Sequence, residues 1–208
     1  MLIGIVLAAG ASTRMRHVKA LLPADASGAT FLSRIVETLW NGGLDDVVVV
    51  TGFHRAAIEA EVEKWVPPRR VRTVHNLQHE QGQLSSLQAA LRIVDRPGVE
   101  GVVVTPVDAP RVKSETVAYL VAEYRRTHAL LVRPAHPDGR HGHPVLFDRR
   151  LFSDLLAADP GAGAKSIVRN QIASGGGIEV LVDDPGAFED VDTPDQYTRV
   201  VEQRRDPE

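Results

Sequence analysis

The stretch LIGIVLAAGASTRMRHVKALLP, Leu2 to Pro23, decides how the chain is read. An apolar run ends in small residues, and a burst of positive charge follows. Two readings compete: a secretion signal, and a buried strand that feeds an anion-binding loop. A secretion signal carries positive charge ahead of its apolar core, whereas here only Met1 precedes Leu2 and the charge comes afterwards. The run is also far too short to span a bilayer, and no later stretch does better. LIGIVL is rich in β-formers and passes into Ala8, Ala9, Gly10 and Ala11. The strand reading prevails.

Composition bounds the rest. A chain of 208 residues, 43% hydrophobic and 25% charged, is long enough for one good core. Without a Gly/Ser-rich or Pro-rich linker or an internal repeat, a single domain over residues 1–208 is expected. The absence of cysteine excludes disulfides, thiolate metal sites and cysteine nucleophiles, and it fits a cytoplasmic protein. A net charge of −3 gives no basis for broad nucleic-acid binding, which needs a basic face. No membrane partner is expected. A polyanionic ligand has to be met by a local cluster of cations.

Strands and helices alternate along the chain. Thr30 is placed to cap a helix through FLSRIVETLW, which Gly42 and Gly43 close. DDVVVVTG is an unalternating β-branched run, as expected of a strand buried on both faces. RAAIEAEVEKWV reads as a helix running to Pro67 and Pro68, VRTVH as a strand, SSLQAALRIV as a helix, and GVEGVVVTPVD as another buried strand. Ser114 and Glu115 open a longer helix, followed by ALLVRP, the turn-rich HPDGRHGHP and a strand VLF. This order predicts a three-layer α/β/α sandwich with a mainly parallel sheet. Ligands of such sheets bind at the carboxyl ends of the strands.

Three such ends carry unusual residues. After the first strand, Ala8 to Ala11 present almost bare backbone, whose N–H groups can approach an anion closely. Arg14, Arg16 and Lys19 then place three cations within six residues, with His17 among them. A solvated surface loop is the plainer alternative. Neither G-x-G-x-x-G nor G-x-x-x-x-G-K-[ST] is present; DPGAGAKS has Asp159 and Ala164 where the latter requires glycine. The second end, VVVTPVDAP, delivers Asp108 between two prolines, either as a ligand for a hard cation such as Mg²⁺ or as a turn cap. The third, AFEDVDTPDQY, puts Asp190 and Asp192 on one side of extended backbone. Asp192 is alternatively a cap for the helix opening at Pro194.

LAAGASTRMRHVK resembles the L-A-[AG]-G-x-S-x-R-M-G-x-x-K signature of nucleotidyltransferases related to the molybdenum-cofactor enzymes, the MobA/MocA-like NTP transferases. GQLSSL, PVDAP, GHPVLF and DVDTPDQY are similar to the cytidylyltransferase branch, in family order over nearly the whole chain. The resemblance implies a nucleotide-diphospho-sugar transferase-like, Rossmann-type fold. It implies that Leu7, Ala8, Ala9 and Gly10 line the nucleotide and that Arg14 and Lys19 grip its phosphates. Asp108 and Asp192 would hold Mg²⁺, and Gly82, Ser85 and Ser86 would contact base or sugar. His143 and Pro144 fall on the acceptor side. His141 with His143 makes too few ligands for a metal. CTP and a molybdopterin acceptor are the implied substrates, and a molybdoenzyme of the xanthine dehydrogenase type is the implied partner. Relatives that transfer GMP tend to carry glycine where this chain has Ala9. Arg16 departs from the pattern, standing where relatives usually have glycine.

The chemistry suits the inventory. A phosphate of the acceptor attacks the α-phosphorus of the triphosphate and pyrophosphate leaves. The attacking oxygen is already anionic, so the need is for cations rather than a nucleophile or strong base. No G-x-S-x-G elbow or H-E-x-x-H zinc motif is present. Transfer to another phosphorylated acceptor, and non-catalytic holding of nucleotide or cofactor, are the alternatives at this point.

Overall fold

The computed structural model describes residues 1–15, 17–25, 27–65 and 71–202. Arg16, which departs from the signature, lies outside the described residues, as do Pro67 and Pro68. The strands are β1 (Leu2–Ala8), β2 (Asp46–Thr51), β3 (Val71–His75), β4 (Gly101–Pro106), β5 (Leu131–Ala135), β6 (Val145–Asp148) and β7 (Gly177–Leu181). They form one sheet in the order β3-β2-β1-β4-β6-β5-β7. Only β6 runs antiparallel to its neighbours β4 and β5. The expected α/β/α sandwich is what the chain builds.

Period-two alternation on strands buried from both sides explains the unbroken apolar runs. Leu2 and Val6 of β1, with Val47, Val49 and Val103, pack under α1 (Phe31–Asn41) and α4 (Ser114–Thr127). Ile3, Ile5, Val48, Val50, Val102 and Val104 face α3 (Gln83–Val94) and α5 (Phe152–Ala157) on the other side. Gly4 sits on the first face because a Cβ there would come within 3.0 Å of Leu39 and 3.1 Å of Leu44. Its bareness lets α1 lie close to the sheet.

Helix ends follow local chemistry. Thr30 accepts from the Ser33 amide while Ser33 Oγ accepts from the Thr30 amide, a reciprocal cap. The helix read from Arg55 is shorter than expected: α2 ends at Val62 and the chain tightens into turns at Lys64 and Trp65. Val66, where the expected helix was to run on to Pro67, lies outside the described residues. After α6 (Lys165–Ala173), the cap of α7 (Pro194–Glu202) falls to Thr193, not Asp192. Thr193 Oγ1 accepts from the Gln196 amide, and Gln196 Oε1 accepts from the amides of Asp192 and Thr193. The Asp192 carboxylate is therefore free for other work.

The segment that carries Asp190 and Asp192 is fastened to the sandwich by a buried carboxylate. Asp184, 2% exposed, accepts from the Lys113 amide (2.9 Å), Thr116 Oγ1 (2.6 Å) and the Gly186 amide (3.1 Å). A helical turn over Pro185–Phe188 follows and presses so close to Arg111 that a Cβ on Gly186 would lie 2.2 Å from its carbonyl. Asp184→Ala would strand three donors, two of them at the start of α4. A loss of about 3 kcal/mol in unfolding free energy is expected, with an unchanged denaturant slope. Urea titration of the two proteins checks this, and a loss below about 1 kcal/mol contradicts it.

Candidate functional site

The loop after β1 is shaped by what holds it from outside. The Ala9 carbonyl accepts from the Phe53 amide at 3.1 Å, and His54 Nε2 lies 3.1 Å from the Ala11 carbonyl. Gly52 is the close approach that permits this: a Cβ there would sit 2.5 Å from the Ala9 carbonyl oxygen. Ser12 adopts a left-handed backbone (φ 51°), rare for a residue with a side chain. Its Oγ accepts from the Lys19 amide at 3.2 Å, which fixes where the Lys19 side chain starts.

A small apolar cluster then joins this loop to the far end of the chain. Met15, Leu22, Ala24, Phe31 and Val191 pack together, with Tyr197 against them. Met15 follows Arg14, and Val191 lies between Asp190 and Asp192. Burying Met15 with Val191 thus brings cation and carboxylates into register. The Val191 amide also donates to the Asp108 carbonyl at 2.8 Å; the stretch expected as a third strand end is a loop between the turn at Pro185–Phe188 and α7, and this bond ties it to the end of β4.

The charged groups meet at Lys19, which is 8% exposed. Its Nζ lies 2.7 Å from Asp192 Oδ1 and 3.5 Å from Asp108 Oδ2. Arg14, largely in solvent, reaches the other oxygen of Asp192 at 3.1 Å. The Lys19 hydrogen bond outweighs partial burial and holds Asp192 below the usual carboxylate range. Asp190 is shifted the other way: desolvation first, then the charges of Asp108 and Asp192, raise its pKa. Burial lowers the pKa of the His143 imidazole against the pull of nearby Asp108, so the ring is neutral at pH 7.

These residues surround a cleft of about 330 Å³. Leu7, Ala8, Ala9, Gly10, Arg14, Lys19, Gly82, Ser86, Asp108 and Asp192, all singled out from the sequence, line it together. Ser85 turns away, donating to the Gln78 and Gly82 carbonyls and accepting from Asn76 Nδ2. Pro144 is buried behind the wall, beside Thr105 and Ala109. His143 stands near Asp108, and its amide donates to the Ala187 carbonyl at 2.8 Å. His141 pairs with Glu179 at 2.7 Å. Sequence reasoning missed His79 and Gln83 on the wall, and Asn76, which bonds both Ser85 and Ser86. Asn76 directly follows β3, and its place after a strand end is the one sequence signal that could have found it.

The donors suit a hard divalent cation. Asp108 Oδ1 is buried with no hydrogen-bond partner, and it shares the cleft with the oxygens of Asp192. Among the described residues, no group of three or more His, Asp or Glu side chains is arranged to hold a metal by itself. Such an ion would complete its shell with ligand oxygens, as Mg²⁺ does at phosphate sites.

A model of the MobA-like NTP transferase domain matches residues 4–175. The chain belongs to this family. It is a nucleotidyltransferase of the MobA-like kind. It is 29% identical to the purine catabolism protein PucB of Bacillus subtilis over 208 residues, covering 96% of this chain and 95% of that one. It is 30% identical to a probable molybdenum cofactor guanylyltransferase of Rhodopirellula baltica over 147 residues, 70% of this chain and 66% of that one. Among solved structures, Rv0371c of Mycobacterium tuberculosis superposes with a TM-score of 0.76 at 28% identity, covering 97% of each chain. A second structure of Rv0371c is a complex with manganese, with a TM-score of 0.72 at 27% identity. No helix of this MobA-like chain, among the described residues, is long and apolar enough to cross a membrane.

Asp190 tests the electrostatics without touching the Lys19 bridge. A raised folded pKa means that folding is penalised once the group is charged, at pH above that pKa. Asp190→Asn should therefore raise the melting temperature in chelator at neutral pH. The gain should fade as pH falls through the raised value towards the unfolded one of about 3.9. Melting curves of both proteins across that range check it; a lower melting temperature for the variant at pH 7, or a gain independent of pH, contradicts it.

Proposed function

We propose that the chain transfers CMP from CTP to the phosphate of molybdopterin cofactor, releasing pyrophosphate. The observation that carries the reading is the meeting of Arg14, Lys19, Asp108 and Asp192 around the bare-backbone loop. Two anions must be brought together here, and the residues present are those that offset anionic charge. The Ala8–Gly10 backbone lies against the nucleotide, and Arg14 and Lys19 take the phosphates. Asp108 and Asp192 would hold Mg²⁺, which, when bound, stabilises the charge that develops on the departing pyrophosphate. Neutral His143, near Asp108, lies on the side from which the acceptor enters. The chain needs no base, because the attacking phosphate oxygen is already ionised.

The near full-length similarity to a purine catabolism protein supports a molybdoenzyme of the xanthine dehydrogenase type as recipient of the finished cofactor. Ala9 supports CTP. It lines the cleft, is 5% exposed, and is held by Gly52 and the Phe53 amide, so its extra methyl sits in a floor that cannot easily give.

Asp108→Asn should leave the fold intact and lower turnover on the order of 10²-fold or more, the loss of several kcal/mol of charge stabilisation. Pyrophosphate release across a Mg²⁺ titration measures it, and an unchanged rate removes Asp108 from the site.

Base choice is checked by kcat/KM for CTP and GTP with saturating molybdopterin. One methyl-sized difference is worth roughly 10–200-fold, so CTP should be preferred without excluding GTP. Ala9→Gly should narrow the gap without inverting it. A wild-type enzyme that uses GTP as well as CTP rules out the cytidylyl assignment.

A further inference from the structure

Lys19 occupies an odd position for a group meant to hold phosphate. Its ammonium is spent on the two carboxylates that would receive the divalent cation, at 2.7 Å from Asp192 and 3.5 Å from Asp108. We propose that Lys19 is a counter-ion latch: it keeps the Asp108–Asp192 pair closed to divalent cations until a triphosphate draws it away, so metal and nucleotide enter together.

The geometry supplies each part. The lysine cannot leave as a whole, since its backbone is tied to Ser12 Oγ and the residue is 92% buried, the complement of its 8% exposure. Its side chain can still move, because an ammonium on a flexible four-carbon stem reorients around a fixed backbone. A divalent cation arriving alone on Asp192 and Asp108 would meet a positive charge already bonded to both. Like charges at that separation repel, strongly so in a partly buried site. A triphosphate changes the balance by offering Lys19 more negative charge than the carboxylates do, in the same cleft that Lys19 lines. Arg14 holds the second oxygen of Asp192 from solvent, so it can turn to phosphate without disturbing packing. Asp190 adds a third carboxylate to the neighbourhood, so Lys19 offsets more negative charge than that of its two partners alone. By linkage, whatever the nucleotide does for metal affinity the metal does equally for nucleotide affinity.

The proposal rests on the nucleotidyltransferase reading of the cleft, and two separate titrations keep the claims apart. The first is calorimetry with Mn²⁺ alone, without nucleotide, on wild type, Lys19→Met, Lys19→Gln and Lys19→Arg. The two uncharged variants should bind Mn²⁺ roughly tenfold or more tightly than wild type, and Lys19→Arg should stay weak. Lys19→Gln keeps a donor for Asp192, so it gives the answer even where Lys19→Met proves too unstable to purify. Wild type that binds Mn²⁺ alone as tightly as Lys19→Gln overturns the latch, as does tight binding by Lys19→Arg. The second titration is the melting temperature of wild type with each of the four nucleoside triphosphates, with Mn²⁺, and with each triphosphate and Mn²⁺ together. A joint shift larger than the sum of the separate ones is expected. A merely additive shift overturns the latch. No shift with any nucleoside triphosphate overturns the functional reading instead, and the Mn²⁺ comparison still judges Lys19.

Discussion

The ion pair between Lys19 and Asp192 joins residues 173 positions apart in the chain, and the candidate site is organised around it. One partner follows the first strand and the other precedes the last helix. Their contact at 2.7 Å needs both ends of the molecule in place. Asp108, from the middle strand end, completes the arrangement through the same ammonium. Three loops of unrelated sequence thus share one charge, which makes the site a property of the folded sandwich and not of any one motif.

Apolar packing makes that ion pair possible. Partly exposed ion pairs hold little stability by themselves, so the pair cannot position the loops. The cluster of Met15, Leu22, Ala24, Phe31 and Val191 does so, together with the Val191 amide on the Asp108 carbonyl. Asp184 secures the stretch leading to Val191 against α4. Placement comes from buried side chains and backbone hydrogen bonds, and charge is then free to serve ligand binding.

Much of this was legible in the sequence because strong local signals agreed. Unalternating valine runs and Thr30 ahead of an apolar helix each have one physical reading, and the small residues after Leu7 marked where a strand ends. The loop cations and the two aspartates were legible as types, and their convergence followed only from the family resemblance. What stayed hidden depends on side-chain direction. Ser85 and Ser86 are adjacent and alike and both accept from Asn76, yet the Gln78 and Gly82 carbonyls turn Ser85 inward while Ser86 faces the cleft. Asp192 read equally well as a helix cap until Thr193 and Gln196 took that role. Lys19 read as a phosphate grip, and nothing local to it announced its pairing with Asp192 and Asp108.

On the proposed function, nucleotide phosphates and a divalent cation share the cleft at the ends of β1 and β4. The most direct measurement is anomalous diffraction from crystals holding Mn²⁺ and a CTP analogue with an uncleavable α–β bridge. A manganese peak in contact with Asp108 and Asp192 is expected, with a triphosphate along the Ala8–Gly10 backbone and Lys19 Nζ moved from Asp192 onto phosphate oxygen. A manganese peak away from both aspartates, or a nucleotide bound outside the cleft, would contradict it.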